Sequence, residues 1–268
     1  GLFEQIGSKL YLIGMIIRKR NKGTGDAYYL HNILDYIEEK NKEIVIDLNV
    51  VRNHALQLNR NGYVLLPHSR GLNELAESGQ LTVEGWLYVN SSGNYTFPFI
   101  EKGWGVKVHP AGIYFYASKT GPSAATMVIP PKDKWFHLAV SYSKKNKLVK
   151  VYINGEFKKQ VVYDRNMEVT WEPLYLGYSN RAFSQELAWG KVDEVRIWNK
   201  VLSDKKIKNN FKKIVSMLEL GCLLYWRFDE GGGRVSEDFS GSNGILTGGV
   251  RWIKSDAPID YLGTGWVR

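Results

Sequence analysis

Apolar and polar residues follow one pattern up to about residue 48 and another after it. From Ile44 onward, short apolar runs are separated by Gly, Asn, Ser and Pro, and many of the runs alternate, as in Leu148–Ile153. Alternation of period two indicates strands that pack on one face and meet water on the other. Many such strands at regular spacing predict an all-β fold of two antiparallel sheets, a sandwich or a barrel.

Two local signals refine this prediction. Asn154-Gly155 separates two apolar runs, and because both residues tolerate positive φ, the pair predicts a hairpin with a type I′ turn. The segment from Ser203 to Met217 predicts one short helix, since Ser203 can cap the first turn and the apolar residues recur at helical spacing.

The first 48 residues predict a mixed N-terminal extension. Apolar residues recur there at spacings of three and four, which indicates one face of a helix: Leu2, Phe3, Ile6, Leu10, Ile13 and Ile17. The run Leu10–Arg18 also suits a buried strand, and Tyr28–Lys40 shows a second helical period. We expect residues 1–48 to pack on the sandwich or on a neighbouring subunit, with a peripheral membrane helix or an assembly arm as the alternatives. Residues 49–260 then form the sandwich, and residues 261–268 form a C-terminal tail.

Composition says more about the partners of the chain than about its fold. The 268 residues carry 36 Lys+Arg against 27 Asp+Glu, a formal net charge of +9, which favours acidic polymers as partners. Cys222 is the only cysteine, so no internal disulfide can form, and we expect a buried core thiol. The longest apolar run, Leu10–Ile17, is far below the roughly 20 residues that a helical span requires, so we expect no transmembrane span.

Catalytic chemistry lacks a matching pattern. Retaining glycosidases place two carboxylates about 5 Å apart, whereas Asp193-Glu194 are adjacent and should point to opposite faces of a strand. Asp229-Glu230 has the same spacing, and the five histidines form no cluster with metal-ligand spacing. We expect no enzyme activity and no catalytic residues.

Several segments of the strand-rich part carry motifs that are more specific than alternation alone. Trp135–Tyr142 and Val149–Glu156 form the most specific pair. The others, in chain order, are residues 54–64, residues 81–89 with Trp86, residues 174–177, residues 190–198 and residues 223–233. Together they resemble the concanavalin A-like jelly rolls of the laminin-G and pentraxin kind over residues 54 to 254. The resemblance implies a two-sheet antiparallel jelly-roll sandwich in which residues 54–64 form an opening hairpin and Trp86 fills the space between the sheets.

The resemblance also implies a variable rim at one end of the sandwich, near residues 59–61 and 177–185. Loops at the end of a rigid sandwich can vary without disturbing its core, and polar groups with aromatic faces suit sugars. The candidate ligand-binding residues are Asn61, Tyr178, Asn180, Arg181, Gln185 and Trp189. Many relatives bind calcium at this rim, but amides and arginines stand here where carboxylates are expected. We therefore expect no cofactor and leave a calcium site open.

These observations predict a non-catalytic module that binds carbohydrate or an adhesion partner at an extracellular or particle surface. The alternative is a structural subunit of a virion, filament or surface layer, because the extension is long enough to reach a neighbouring subunit. Expected partners are a glycan or a surface protein, a further copy of the chain through residues 1–48, and acidic polymers. The expected location is extracellular, at the cell surface or at the surface of a virion.

Overall fold

The computed structural model describes residues 3–6, 9–12, 53–67, 70–91, 96–181, 185–215, 220–238 and 242–260. The chain divides into two compact units, Gly1–Val51 and Arg52–Arg268. In the first unit, β1 (Phe3–Ile6) and β2 (Lys9–Leu12) pair antiparallel. The helical interpretation is therefore wrong for these residues, whose aromatic and β-branched side chains around Gly7-Ser8 suit a hairpin in sequence. The second helical period, Tyr28–Lys40, lies outside the described residues.

The second unit consists mainly of strands. In chain order they are β3 (His54–Asn59), β4 (Gly62–Leu66), β5 (Gln80–Val89), β6 (Phe97–Lys102), β7 (Trp104–His109), β8 (Gly112–Tyr116), β9 (Ser123–Ala125), β10 (Trp135–Ser143), β11 (Leu148–Ile153), β12 (Glu156–Val162), β13 (Leu174–Leu176), β14 (Tyr178–Ser179), β15 (Glu186–Leu187), β16 (Trp189–Trp198), β17 (Cys222–Trp226), β18 (Val235–Ser236), β19 (Gly244–Gly248) and β20 (Arg251–Lys254). The helices are α1 (Arg70–Ser78) and α2 (Asp204–Asn210).

Most of these strands build two antiparallel sheets. Sheet I has the order β12-β11-β10-β5-β16-β3-β20, with β17 also paired to β16. Sheet II has the order β18-β19-β4-β13-β6-β7-β8-β9, and β14 and β15 form a separate pair. The last strand, β20, lies beside β3, the first strand of this unit. The predicted all-β, two-sheet antiparallel sandwich is confirmed.

The core lies between the sheets and follows from the alternation. In β4, Val64 and Leu66 are buried in the core, whereas the intervening Leu65 is only half-buried. Trp86 is buried too, but on the outer side of sheet I, where its Nε1–H donates to the Phe211 carbonyl at 2.9 Å. The prediction that Trp86 fills the space between the sheets is wrong, because the neighbouring position, Leu87, takes the inward side of β5.

Residues 54–64 do not form the predicted opening hairpin. Strand β3 pairs with β16 and β20 in sheet I, whereas β4 pairs with β13 and β19 in sheet II. Arg60, which lies between them with a φ of 60°, is part of the turn from one sheet to the other. This crossing lets Leu58 of β3 and Val64 of β4 enter the same core from opposite sheets.

The local turn and helix signals have mixed outcomes. Asn154 and Gly155 have φ angles of 53° and 75° between β11 and β12, which confirms the predicted hairpin turn. Ser203 caps α2 by accepting from the Lys206 N–H at 3.2 Å, but α2 ends at Asn210, well before the predicted end. Helix α1 was not predicted. Among the helices that the structure describes, none has the length and apolarity to cross a membrane.

A network of buried charged side chains lies on the outer side of sheet I. The Arg196 guanidinium lies 3.3 Å from Glu84 Oε1 and 2.9 Å from Glu194 Oε2, and it donates to the Lys213 carbonyl at 2.7 Å. Trp198 Nε1–H donates to the same Glu84 oxygen at 3.1 Å. The side chains of Arg196, Glu84 and Glu194 are all buried. The network therefore fixes the segment after α2 against the sheet.

Cys222 only partly meets the expectation of a core thiol. Its side chain is half-buried at the start of β17, where it packs beside the smaller core cluster under α2. Burial raises the pKa of this thiol to about 12. The thiolate, which is the reactive form of cysteine, is therefore disfavoured at neutral pH.

Candidate functional site

Three tyrosine rings meet on the outer face of sheet II. Tyr63 of β4 and Tyr175 of β13 occupy outward positions, because the residue after Tyr63 and the residues on either side of Tyr175 are buried in the core. Tyr178 of β14 follows Gly177, whose φ of 87° favours glycine. The ring centroids are 5.7 Å apart for Tyr63–Tyr175, 5.1 Å for Tyr63–Tyr178 and 5.0 Å for Tyr175–Tyr178. These three half-buried rings are called the tyrosine cluster below.

A buried polar network holds β14 in place beside the cluster. Ser179 Oγ–H donates to Glu101 Oε2 at 2.8 Å, and the Tyr116 hydroxyl donates to the same oxygen. The Arg181 guanidinium stacks over the Tyr116 ring at 4.5 Å and donates to a backbone carbonyl. Burial raises the pKa of Glu101, although the bonds from Tyr116 and Ser179 oppose the shift. Buried hydrogen bonds of this kind help to hold the backbone around them, which here carries Tyr178.

Charged side chains around the tyrosine cluster are paired with one another. Lys107 Nζ lies 3.2 Å from both carboxylate oxygens of Glu186. Lys119 forms an ion pair with Glu172 and donates to Asn180 Oδ1 at 2.6 Å. Because these cations and anions balance locally, the face is polar without a strong field of either sign.

Three of the six candidate residues from the sequence lie at the tyrosine cluster. Tyr178 is a member of it, Asn180 accepts from Lys119, and Arg181 stacks on Tyr116. The structure thus brings these three residues together along one short stretch of chain.

Of the other three candidate residues, Gln185 lies beside that stretch because it precedes β15, the partner of β14, whereas Asn61 and Trp189 belong to the turn before β4 and to β16. The Arg60 guanidinium stacks over the Trp189 ring at 4.3 Å, and the backbone carbonyl of Asn61 accepts from the Gly249 N–H at 3.1 Å. Asn61 lies two residues before Tyr63, which links this turn to the tyrosine cluster along β4. Gln185 is exposed immediately before β15.

Two members of the tyrosine cluster were not among the residues predicted from the sequence. Tyr63 and Tyr175 each stand between two apolar residues, so alternation alone could have assigned them to an outer face. Their proximity to each other depends on the pairing of β4 with β13, which joins residues far apart in the chain.

The rim residues that the structure describes do not fit a calcium ion. Calcium takes six to eight oxygen ligands, with carboxylates to balance its charge. Here Glu186 is held by Lys107, Asn180 by Lys119, and Arg181 places a further cation nearby. Within the described residues, no group of three or more His, Cys, Asp and Glu side chains is arranged to hold a metal ion.

Asp193 and Glu194 do not point to opposite faces as expected. Glu194 has a φ of 52° at an irregularity in the pairing of β16 with β5, which turns its carboxylate toward Arg196. Asp193 Oδ2 accepts from Ser255 at 2.5 Å, and burial together with the nearby Glu194 charge raises the Asp193 pKa well above its usual range. Both carboxyls are buried and bonded within the protein, so neither is exposed to a substrate.

A family model matches residues 58–208 and is described as the concanavalin A-like lectin/glucanases superfamily, laminin G type. The match spans more than half of the sequence, and the chain belongs to this superfamily. No curated protein matched the sequence.

Two solved structures show the same fold at low sequence identity. A candidate carbohydrate-binding protein from Bacteroides ovatus matches with a TM-score of 0.63 and 19% identity, over 78% of this chain and 61% of its own. The chain therefore spans less than two thirds of that protein. The native heptameric SAP-like pentraxin of Limulus polyphemus matches with a TM-score of 0.52 and 12% identity, over 77% of this chain and 97% of its own.

Proposed function

We propose that the chain is a non-catalytic carbohydrate-binding module that acts at an extracellular or particle surface, and that the tyrosine cluster is its glycan site. The observation that carries the proposal is the packing of three half-buried tyrosine rings, 5.0–5.7 Å apart, on an outer sheet face with paired polar groups around them.

The chemistry of this face suits a sugar. A tyrosine offers an apolar ring face and a hydroxyl that donates and accepts hydrogen bonds. Sugars present apolar C–H faces and a rim of hydroxyls, so ring faces and polar groups must lie side by side in a sugar site. Tyr63, Tyr175 and Tyr178 supply the ring faces, and Asn180 and Glu172 supply amide and carboxylate groups beside them.

The carboxylates of this face argue for binding without catalysis. A glycosidase acid must reach the glycosidic oxygen, but Glu101 is fully buried and bonded to Ser179 and Tyr116. Glu172 and Glu186 are each paired with a lysine, so both carboxylates already have a partner within the protein. The similar Bacteroides ovatus protein, described as a candidate for carbohydrate binding, supports the same class of function.

A glycan array carrying neutral, acidic and sulfated glycans, probed with and without calcium, tests the proposal. We expect the chain to bind neutral glycans without calcium and Tyr178→Ala to weaken binding about tenfold, since stacking on one aromatic ring is worth roughly 1 kcal/mol or more. Tyr114→Ala is the matched control, because Tyr114 also faces outward on sheet II but packs edge-on against His109. Binding to no glycan, or equal loss in both variants, would contradict the proposal.

Assembly through residues 1–48 is a separate proposal, motivated by the compact first unit, Gly1–Val51. A chain that assembles in this way should change from oligomer to monomer when residues 1–48 are removed. Size-exclusion chromatography with light scattering measures this directly, and a full chain that is monomeric at all concentrations would exclude assembly by itself.

A further inference from the structure

Trp171 is a large aromatic side chain on the surface of the protein. It exposes 80% of its surface, in the segment that leads into β13. Tryptophan side chains are on average highly buried. A ring with this much exposed surface has an apolar face that a ligand can contact.

Hydrogen bonds from a buried lysine hold the backbone on both sides of Trp171. Lys102, only 1% exposed at the end of β6, donates from Nζ to the carbonyl of Thr170 at 3.0 Å and to that of Glu172 at 2.9 Å. These two carbonyls flank Trp171 on either side. Burying an ammonium group is costly unless it is well bonded, and here its bonds fix the backbone that presents the Trp171 ring.

The anchored segment adjoins the tyrosine cluster. Glu172, next to Trp171, pairs with Lys119, and Lys119 also donates to Asn180, two residues after Tyr178. Tyr175 follows four residues after Trp171, and the Glu172 charge acts on the Tyr175 hydroxyl, contributing to its raised pKa after the larger effect of burial. Trp171 and the tyrosine cluster are therefore joined through one set of contacts.

We propose that Trp171 is a second aromatic platform of the glycan site, so that the ligand is a neutral oligosaccharide long enough to touch both the tyrosine cluster and Trp171. We expect a neutral ligand because Lys119 and Glu172 neutralise each other, and because the Arg181 guanidinium already stacks on an aromatic ring and donates to a backbone carbonyl. This inference rests on the proposed function of the tyrosine cluster and adds the length and charge of the ligand.

Isothermal titration with arabino-, cello-, manno- and xylo-oligosaccharides, each from the disaccharide to the hexasaccharide, tests the inference. In the series that binds, affinity should rise with length in the wild-type chain. Trp171→Ala should weaken the longest member about five- to tenfold, as expected for the loss of one stacked ring, and should leave the shortest member that binds unchanged. Trp171→Phe should recover most of the loss. Met127→Ala is the matched control, since Met127 is a large apolar residue that is 69% exposed and lies just after β9.

The outcomes separate this inference from the function on which it rests. If the wild-type chain binds a series and Trp171→Ala binds each length with the wild-type affinity, the proposal of a second platform is wrong. The tyrosine cluster would then remain the proposed site. Equal weakening at all lengths would also contradict the second platform, because Trp171 would then act on the cluster itself. A wild-type chain that binds none of these neutral series but binds acidic glycans on the array would refute the neutral ligand, and one that binds no glycan in either experiment would overturn both proposals.

Discussion

Replacing Arg196 with methionine should strongly destabilise the sandwich. Methionine fills a similar volume but leaves the buried Glu84 carboxylate without its arginine partner, and Glu194 keeps only the Arg227 cation, whose Nε lies 3.6 Å away. Removing one partner of a buried ion pair typically costs about 3–5 kcal/mol, because the remaining charge stays uncompensated. Domains of this kind are stable by about 5–15 kcal/mol, so the variant should lose a large share of its stability.

Urea unfolding followed by tryptophan fluorescence measures this loss, since Trp198 donates to Glu84 within the same network. The midpoint should fall with an unchanged slope. Lys158→Met is the matched control: its ammonium lies only 2.7 Å from Glu156, closer than Arg196 to either partner, but the pair lies on the surface and should matter little. A similar midpoint for Arg196→Met and the wild type, or an equal loss in Lys158→Met, would refute the argument that burial outweighs distance.

Two further predictions concern pH and backbone conformation. Burial raises the pKa of Asp229 to about 7 in spite of Arg227, so its contribution to stability is complete below about pH 4 and is lost as the pH rises through about 7. Between about pH 4 and pH 8, the free energy of unfolding of Asp229→Asn should therefore fall less than that of the wild type, with a difference of at most roughly 4 kcal/mol. Urea unfolding at each pH measures both profiles, and parallel profiles would contradict this prediction. Gly177→Ala should cost at least about 1 kcal/mol and weaken glycan binding, because φ is 87° and the new Cβ would lie 2.8 Å from Leu58; an unchanged melting temperature would show that the turn is not strained.

Local patterns predicted most of the fold. The alternation of β4 and β11, and the Asn154-Gly155 turn, each depend on residues close in sequence, and the structure confirms them. The failures have long-range causes. Whether residues 54–64 form a hairpin depends on which sheets β3 and β4 join, and nothing within those residues distinguishes the two outcomes.

The candidate site was only partly predictable for the same reason. Tyr178, Asn180 and Arg181 are close in sequence, so one loop could be singled out. Tyr63 reaches Tyr178 only because β4 pairs with β13. The position of Glu194 was missed because it depends on a local irregularity, a φ of 52° that breaks the alternation of β16. The ion pair of Lys119 with Glu172 likewise requires the folded chain.

NMR mapping of a bound glycan is the most direct test of whether the tyrosine cluster is the glycan site. An isotopically labelled chain would be titrated with the best neutral oligosaccharide from the array, and the perturbed amide resonances would be assigned to residues. We expect the largest changes in amide resonances at residues 62–66 and 171–181, around the three rings of the tyrosine cluster. Changes concentrated instead on α2 and the outer side of sheet I, with the tyrosine cluster unaffected, would contradict this expectation.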